Sequence, residues 1–281
     1  MTTAEEIITE VFKSYPRIGI GFVNADYWQT LRATYVRTVG DVMELAESRC
    51  PTGKVRILEI GAFCGIVATA LVQASDRFDV TAWDLPMFMQ DHRLNEHYRK
   101  MGIRQGRGNL STLPLEFCDE TFDIVVCCEV IEHLSFNPLP VFCEFNRLLK
   151  LNGILYIGTP NQANIYKRLL LARGKSVHDP VKHLLWQLYS KATISNGLHR
   201  KEYTAEELAE ILKLTGFELL RAYYCHTNRC RNPNLLRRIL VRSMYACFPS
   251  FLPSQVAVGI KASKRAVGDL AKPTKIDVIA G

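Results

Sequence analysis

The chain of 281 residues has nine cysteines but no C-x-x-C pair. Zinc sites assembled from closely paired ligands need such pairs, and an odd, scattered set does not form a disulfide framework, so reduced thiols are expected. Cys225, His226 and Cys230 cluster without a second ligand pair, and no metal is expected. The segment MTTAEEIITEVF is acidic and amphipathic where a secretory leader would be basic and apolar, and a cytoplasmic location is expected. Arg242, Pro249 and Pro253 break the apolar run near the C-terminus, which excludes a membrane-spanning helix there. There is no internal repeat, low-complexity tract or long linker. Between Arg221 and Arg265 there is no Asp or Glu. The nine Lys and Arg residues of that stretch outnumber the chain's net charge of +7, so the basic character is local. This argues against a nucleic-acid partner and for one basic surface. Residues 235–248 can form a helix with apolar and arginine sides, the pattern of a peripheral contact at the inner face of a membrane.

Against these absences stands the run VRILEIGAFCGIVATAL, Val55 to Leu71: an apolar strand, an acid, a glycine turn and a helix. A dinucleotide fingerprint would have a glycine where Phe63 stands, and Glu59 would repel a pyrophosphate. The acid suits a ligand with an amino acid and a positive sulfur, with Gly61 fixing the turn and Gly65 permitting close helix–strand approach. The next strand, DVTAWD, ends in Asp84, whose two oxygens can accept from both hydroxyls of a ribose. FDIVVCC, Phe122 to Cys128, has the continuous apolar character of a strand covered on both faces, and its Cys127 and Cys128 read as core. Glu129 closes that strand, either contacting the ribose or methionine part of a ligand or capping the loop.

With these motifs, and with FDIVVCCEVIEHL and RLLKLNGILYIGTPN, the chain from about Val55 to Phe217 resembles the class I S-adenosylmethionine-dependent methyltransferases. The resemblance implies S-adenosylmethionine as cofactor, held by Glu59, Gly61, Ala62, Gly65, Asp84, Leu85, Asn109, Leu110 and Glu129. Asn109 stands where the family usually has an acid facing the adenine amino group, and its amide oxygen can accept the same hydrogen bond. The family's fold is an α/β, doubly wound, Rossmann-like, mostly parallel seven-stranded sheet with helices on both faces, and the alternating pattern of this chain agrees. Helices are read from Trp28 to Glu47, Phe88 to Met101 and Val141 to Leu149, and strands over IRQGRG, Ile154 to Ile157, FELLRAYYC and QVAVGIKA. A capping box at Thr204 and Glu207 starts another helix. Residues 1–50 would be an N-terminal helical cap, 51–265 the methyltransferase domain with a helical acceptor-side insertion at 162–203, and 266–281 a loose tail.

Methyl transfer from a sulfonium needs the acceptor held in line and water kept out, and few catalytic groups. A hydroxyl acceptor is helped by a base, and His133, just beyond the strand ending at Glu129, is the first choice, with His199 in GLHRKEYT the second. For either, a structural polar contact is the competing reading. The expected partner is a small acceptor: a sugar, glycan, quinone or secondary metabolite. A nicotinamide-dependent oxidoreductase and a non-catalytic, membrane-associated cofactor-binding protein are the alternatives.

Overall fold

The computed structural model describes residues 2–14, 25–183, 198–226 and 235–270. Two helices, α1 (Ala4–Ser14) and α2 (Ala25–Arg49), precede an alternating series: β1 (Val55–Ile60), α3 (Ile66–Ala74), β2 (Phe78–Asp84), α4 (Pro86–Met89), α5 (His92–Met101), β3 (Arg104–Arg107) and β4 (Phe122–Cys128). There follow α6 (Leu139–Leu148), β5 (Leu149–Pro160), α7 (Ile165–Ala172), α8 (Ala205–Leu214), β6 (Phe217–Cys225), α9 (Leu235–Cys247) and β7 (Ser254–Lys261). The seven strands lie in the order β3-β2-β1-β4-β5-β7-β6. β7 runs antiparallel to both β5 and β6, and the other pairings are parallel. This is the doubly wound sheet expected from the sequence.

Side chains alternating along each strand feed two cores. Ile57, Ile124, Val126, Ile154 and Tyr156 join one face, together with Ile7, Ile8 and Val11 of α1, Val39, Val42 and Leu45 of α2, and Leu94 and Tyr98 of α5. Leu58, Val125, Cys127, Leu155 and Ile157 meet Phe142, Phe145 and Leu148 of α6 and Leu208 and Leu212 of α8 on the other. The N-terminal helices are thus part of the first core layer: Ile8, Val39 and Val42 are fully buried.

Two elements differ from the sequence expectation. The helix read over Phe88 to Met101 is two: Asp91 caps α5 by accepting from the amides of Arg93 and Leu94, so the first helix stops at Met89. The strand read from Ile154 to Ile157 is longer: β5 starts directly at Leu149 and runs to Pro160, with Asn152 taken up within it at φ +62°. Past β7, Asn146 donates to the Ser263 carbonyl and accepts from the Arg265 amide; of the expected tail at 266–281 only residues 266–270 are described, with a 3-10 turn at Val267–Asp269. Of the 162–203 insertion, α7 and a 3-10 turn at Val181–His183 are described, and α7 buries none of its residues.

Candidate functional site

Between β1 and α3 the backbone passes through the left-handed region at Gly61, Phe63 and Gly65. A side-chain carbon on Gly61 would fall 2.2 Å from Val130 Cγ2, and one on Gly65 2.2 Å from the Tyr98 hydroxyl; their φ values are +77° and +75°. Both positions therefore exclude any other residue on two grounds. Phe63, where a dinucleotide fingerprint needs glycine, also has positive φ, and its ring packs edge-on against Phe88 at 4.8 Å.

The turn is tied down by Asp84, which accepts from the Phe63 amide at 2.6 Å and from the Leu85 amide at 2.6 Å. Burial pushes Asp84 up to about 6 against the pull of those amides. Glu59, in register with Ala82 of β2, is buried, and its Oε2 has no hydrogen-bond partner. Burial pushes it up to about 8, opposed by the Ala68 amide and reinforced by Asp84. The Tyr98 hydroxyl, behind Gly65, is likewise buried without a partner. A buried carboxylate oxygen without a donor, beside a turn with no room for a Cβ, fits a cationic nucleoside and opposes a pyrophosphate. Asn109 follows β3, and its side-chain oxygen accepts from the Ser111 amide at 2.9 Å, closing a turn whose next residue, Leu110, is buried. Ala62 is buried and Leu85 half-buried on the same turns.

A second cluster lies past β4. Glu129 has φ +55°, and its amide donates to the Gly158 carbonyl. Burial and the nearby Glu132 push it up to about 8. Glu132 is fully buried: Oε2 accepts from the Thr159 hydroxyl at 2.9 Å, Oε1 has no hydrogen-bond partner and lies 3.8 Å from His133 Nε2, and burial raises it to about 7. Its backbone carbonyl accepts from the Arg200 amide, which brings the segment of His199 over the strand ends. His133 shares a 2.9 Å hydrogen bond through Nδ1 with the Leu198 carbonyl, and its ring centre is 5.0 Å from that of His199. Burial lowers the His133 pKa, with His199 adding to the effect, so the ring is neutral near pH 7. His199 Nδ1 lies 2.7 Å from Glu202 Oε1, and Glu202 is also paired with Lys167 of α7. Burial works against the Glu202 charge, but these two partners outweigh it and hold its pKa below the usual value. One ligand atom each from Glu132, His133 and His199 lie within 4.8 Å of one another, close enough to hold a cation.

Glu59, Gly61, Ala62, Gly65, Asp84 and Leu85 thus gather at one pair of strand ends, and Glu129, His133 and His199 at the adjacent ones. Val130 links the two by packing on Gly61. Sequence reasoning missed Glu132, Thr159, Glu202 and Lys167. A second carboxylate three residues after Glu129 in EVIEH was a usable signal for the first; nothing local pointed to the others. It also missed Asn161, whose side chain donates to the Ser250 and Leu252 carbonyls and so fastens the end of β5 to the segment before β7. Cys230 of the expected Cys-His-Cys grouping lies outside the described residues. The eight described cysteines are free thiols.

A methyltransferase-domain family model matches residues 27–222. A Mycolicibacterium smegmatis protein named a probable S-adenosylmethionine-dependent methyltransferase is 32% identical over 43% of this chain and 37% of its own length. A ubiquinone biosynthesis O-methyltransferase of Haemophilus ducreyi is 31% identical over 38% of this chain and 46% of its own. The matches thus span less than half of either relative. In fold, the chain is similar to magnesium protoporphyrin IX methyltransferase of Synechocystis, solved with bound S-adenosylhomocysteine (TM-score 0.54, 15% identity, 92% of this chain and 97% of that one). The [4+2]-cyclase SpnF is as similar (TM-score 0.54, 17% identity, 92% and 97%). The chain belongs to the class I S-adenosylmethionine-dependent methyltransferase family, with S-adenosylmethionine as its cofactor.

Proposed function

We propose that the chain transfers a methyl group to an oxygen of a small acceptor, with His133 taking the proton. The observation that carries this is the neutral, oriented imidazole of His133 beside the strand ends where Glu59, Asp84 and the Gly61–Gly65 turn form the cofactor cradle. The cofactor supplies an already activated methyl on a positive sulfur. The chain's own residues then have three tasks. Asp84 would hold the ribose hydroxyls; Glu59 and Glu129, which burial raises to about 8, would release their protons to face the cationic end; Asn109 and Leu110 would border the base. The Leu198 carbonyl fixes the His133 tautomer with Nδ1 protonated, leaving Nε2 as the basic nitrogen. The His199–Glu202–Lys167 series holds the covering segment over that nitrogen and helps exclude water.

The names of the relatives support a phenolic acceptor of the quinone-precursor kind over a sugar, glycan or secondary metabolite. Such acceptors are lipid-tailed, and the surface beside the insertion agrees. Tyr166, Leu169 and Leu171 of α7 are exposed; Phe248 and Phe251 stack at 5.1 Å next to α9, and the Arg168 guanidinium lies over Phe251. No helix of the described residues is long and apolar enough to cross a membrane, so contact there would be peripheral. The test is incubation with deuteriomethyl-labelled cofactor and a panel of catechols, hydroxybenzoates with and without prenyl tails, and sugars, followed by mass spectrometry. Label on a phenolic oxygen supports the reading. Label on nitrogen or carbon only, or on none despite cofactor binding, overturns it, the last outcome favouring a non-catalytic binder. Saturable NADH binding without cofactor binding would restore the oxidoreductase alternative. Flotation with anionic vesicles tests the surface, and no retention at low salt would remove it.

A further inference from the structure

Glu202 and Lys167 form a charged pair where water hardly reaches: their side chains are 9% and 15% exposed. Taking two charges out of water is unfavourable, and a neutral hydrogen bond would serve a merely mechanical tie with a smaller desolvation penalty. The main chain of this segment also has ties of its own. The His199 amide donates to Asp179 at 2.9 Å, and the Arg200 and Lys201 amides donate to the Glu132 carbonyl at 2.7 and 3.3 Å. What the charged pair adds is control of a ring. Glu202 uses one oxygen on Lys167 and the other, Oε1, on His199 Nδ1 at 2.7 Å. Burial opposes the Glu202 charge, but these two partners outweigh it; an ionised carboxylate only accepts, so Nδ1 carries the hydrogen and Nε2 is the nitrogen left over. His133 is held alike, its Nδ1 facing the Leu198 carbonyl. His133 Nε2 lies 3.8 Å from Glu132 Oε1, and a nitrogen of His199 lies within 4.8 Å of one ligand atom from each of these two residues.

We propose that Glu202, braced by Lys167 of α7, is a positioning residue that turns His199 Nε2 towards the acceptor, where it holds a polar hydrogen of the acceptor while His133 Nε2 takes the reacting proton. This deepens the oxygen-methylation reading of the site and rests on it. A carboxylate on the far nitrogen of an imidazole fixes both the tautomer and the plane of the ring. Without Glu202 the ring is free to carry its hydrogen on Nε2, and the two imidazoles would then present a donor and an acceptor to the same group. Lys167 belongs to the insertion after β5, so a change in that insertion reaches the acceptor through one ion pair.

Two readouts test this. In two-bond proton–nitrogen spectra of the nitrogen-labelled full chain, His199 is assigned from the signals lost in His199→Gln. The unaltered chain should show it protonated at Nδ1, and Glu202→Leu should show it protonated at Nε2. An Nε2 hydrogen in the unaltered chain, or the same form in both, overturns the inference. With catechol as acceptor, Glu202→Leu should lower kcat about 10–100-fold, the scale of a misplaced reacting group, and leave the KM for catechol within about threefold. A raised KM with kcat unchanged overturns it. Glu202→Gln, which keeps an oxygen for Nδ1 without the charge, should recover part of the loss. Lys167→Met should lower kcat about 3–10-fold by itself and add nothing to Glu202→Leu, and fully additive losses overturn the inference. Should Glu202→Leu fail to fold, Lys167→Met decides alone: a lowered kcat with KM held supports the inference, and an unchanged kcat overturns it. If the unaltered chain methylates no oxygen, the functional reading fails, and the tautomer spectra still decide whether Glu202 sets the ring.

Discussion

The two halves of the site are built by different means. On the nucleoside side, Glu59, Gly61, Gly65 and Asp84 come from one βαβ unit, and β1 pairs directly with β2, so a few local rules place all of them. On the side of His133 and His199, Glu132 meets Thr159, His133 meets Leu198, and Glu202 meets Lys167, partners separated by 27 to 65 positions. The first half is a turn that few sequences can adopt; the second is a set of side chains that only the closed fold brings together. Chemistry common to a family can rest on the first, and acceptor choice can change in the second without disturbing it.

The sharpest break in this comparison is His133→Ala. It should lower turnover by about 10²–10⁴-fold, the usual range for a lost general base, with cofactor affinity unchanged, as read by stopped assays and titration. A parallel fall in cofactor affinity would merge the two halves. Next is a pair of glycine substitutions. Gly65→Ala, driven into Tyr98 and strained at positive φ, should cost about 2–4 kcal/mol of stability by urea unfolding. Gly102→Ala, with similar φ but open space around it, should cost only about 1–2 kcal/mol. Asp84→Ala should weaken cofactor binding by about 1–3 kcal/mol while leaving His133-dependent proton removal intact.

A separate expectation concerns the pH dependence of the nucleoside half. The folded pKa values of Glu59, about 8, and Asp84, about 6, both lie above their ordinary values of 4.5 and 3.8. The folded chain therefore holds more protons than the unfolded one, and these groups make stability fall as pH rises from about 4 to 8. Urea midpoints across that range should decline less for Glu59→Gln than for the unaltered chain. An identical decline would mean that Glu59 is not held protonated.

The difference in legibility follows from the same contrast. The β1 turn was readable because glycine, acid and apolar strand stand side by side in the chain, and the mostly parallel sheet because continuous apolar runs alternate with amphipathic helices. Glu132 was overlooked because its burial depends on Thr159 and on the return of Arg200, neither of them near it in sequence. The break between α4 and α5 was missed because Asp91 looks like any exposed acid until its side chain is seen to cap two amides.

By itself, then, the order of residues determined the strands, the glycine turn after β1 and the family, since hydrophobic periodicity and the steric demands of glycine act within a few residues. Tertiary structure alone decided which charges remain uncompensated. Arg37 of α2 is left with a buried Nε–H without an acceptor because two tyrosines from β5 and β6 and an arginine from β6 occupy Asp41, one turn further along the helix, and such competition for one carboxylate exists only once distant elements pack together.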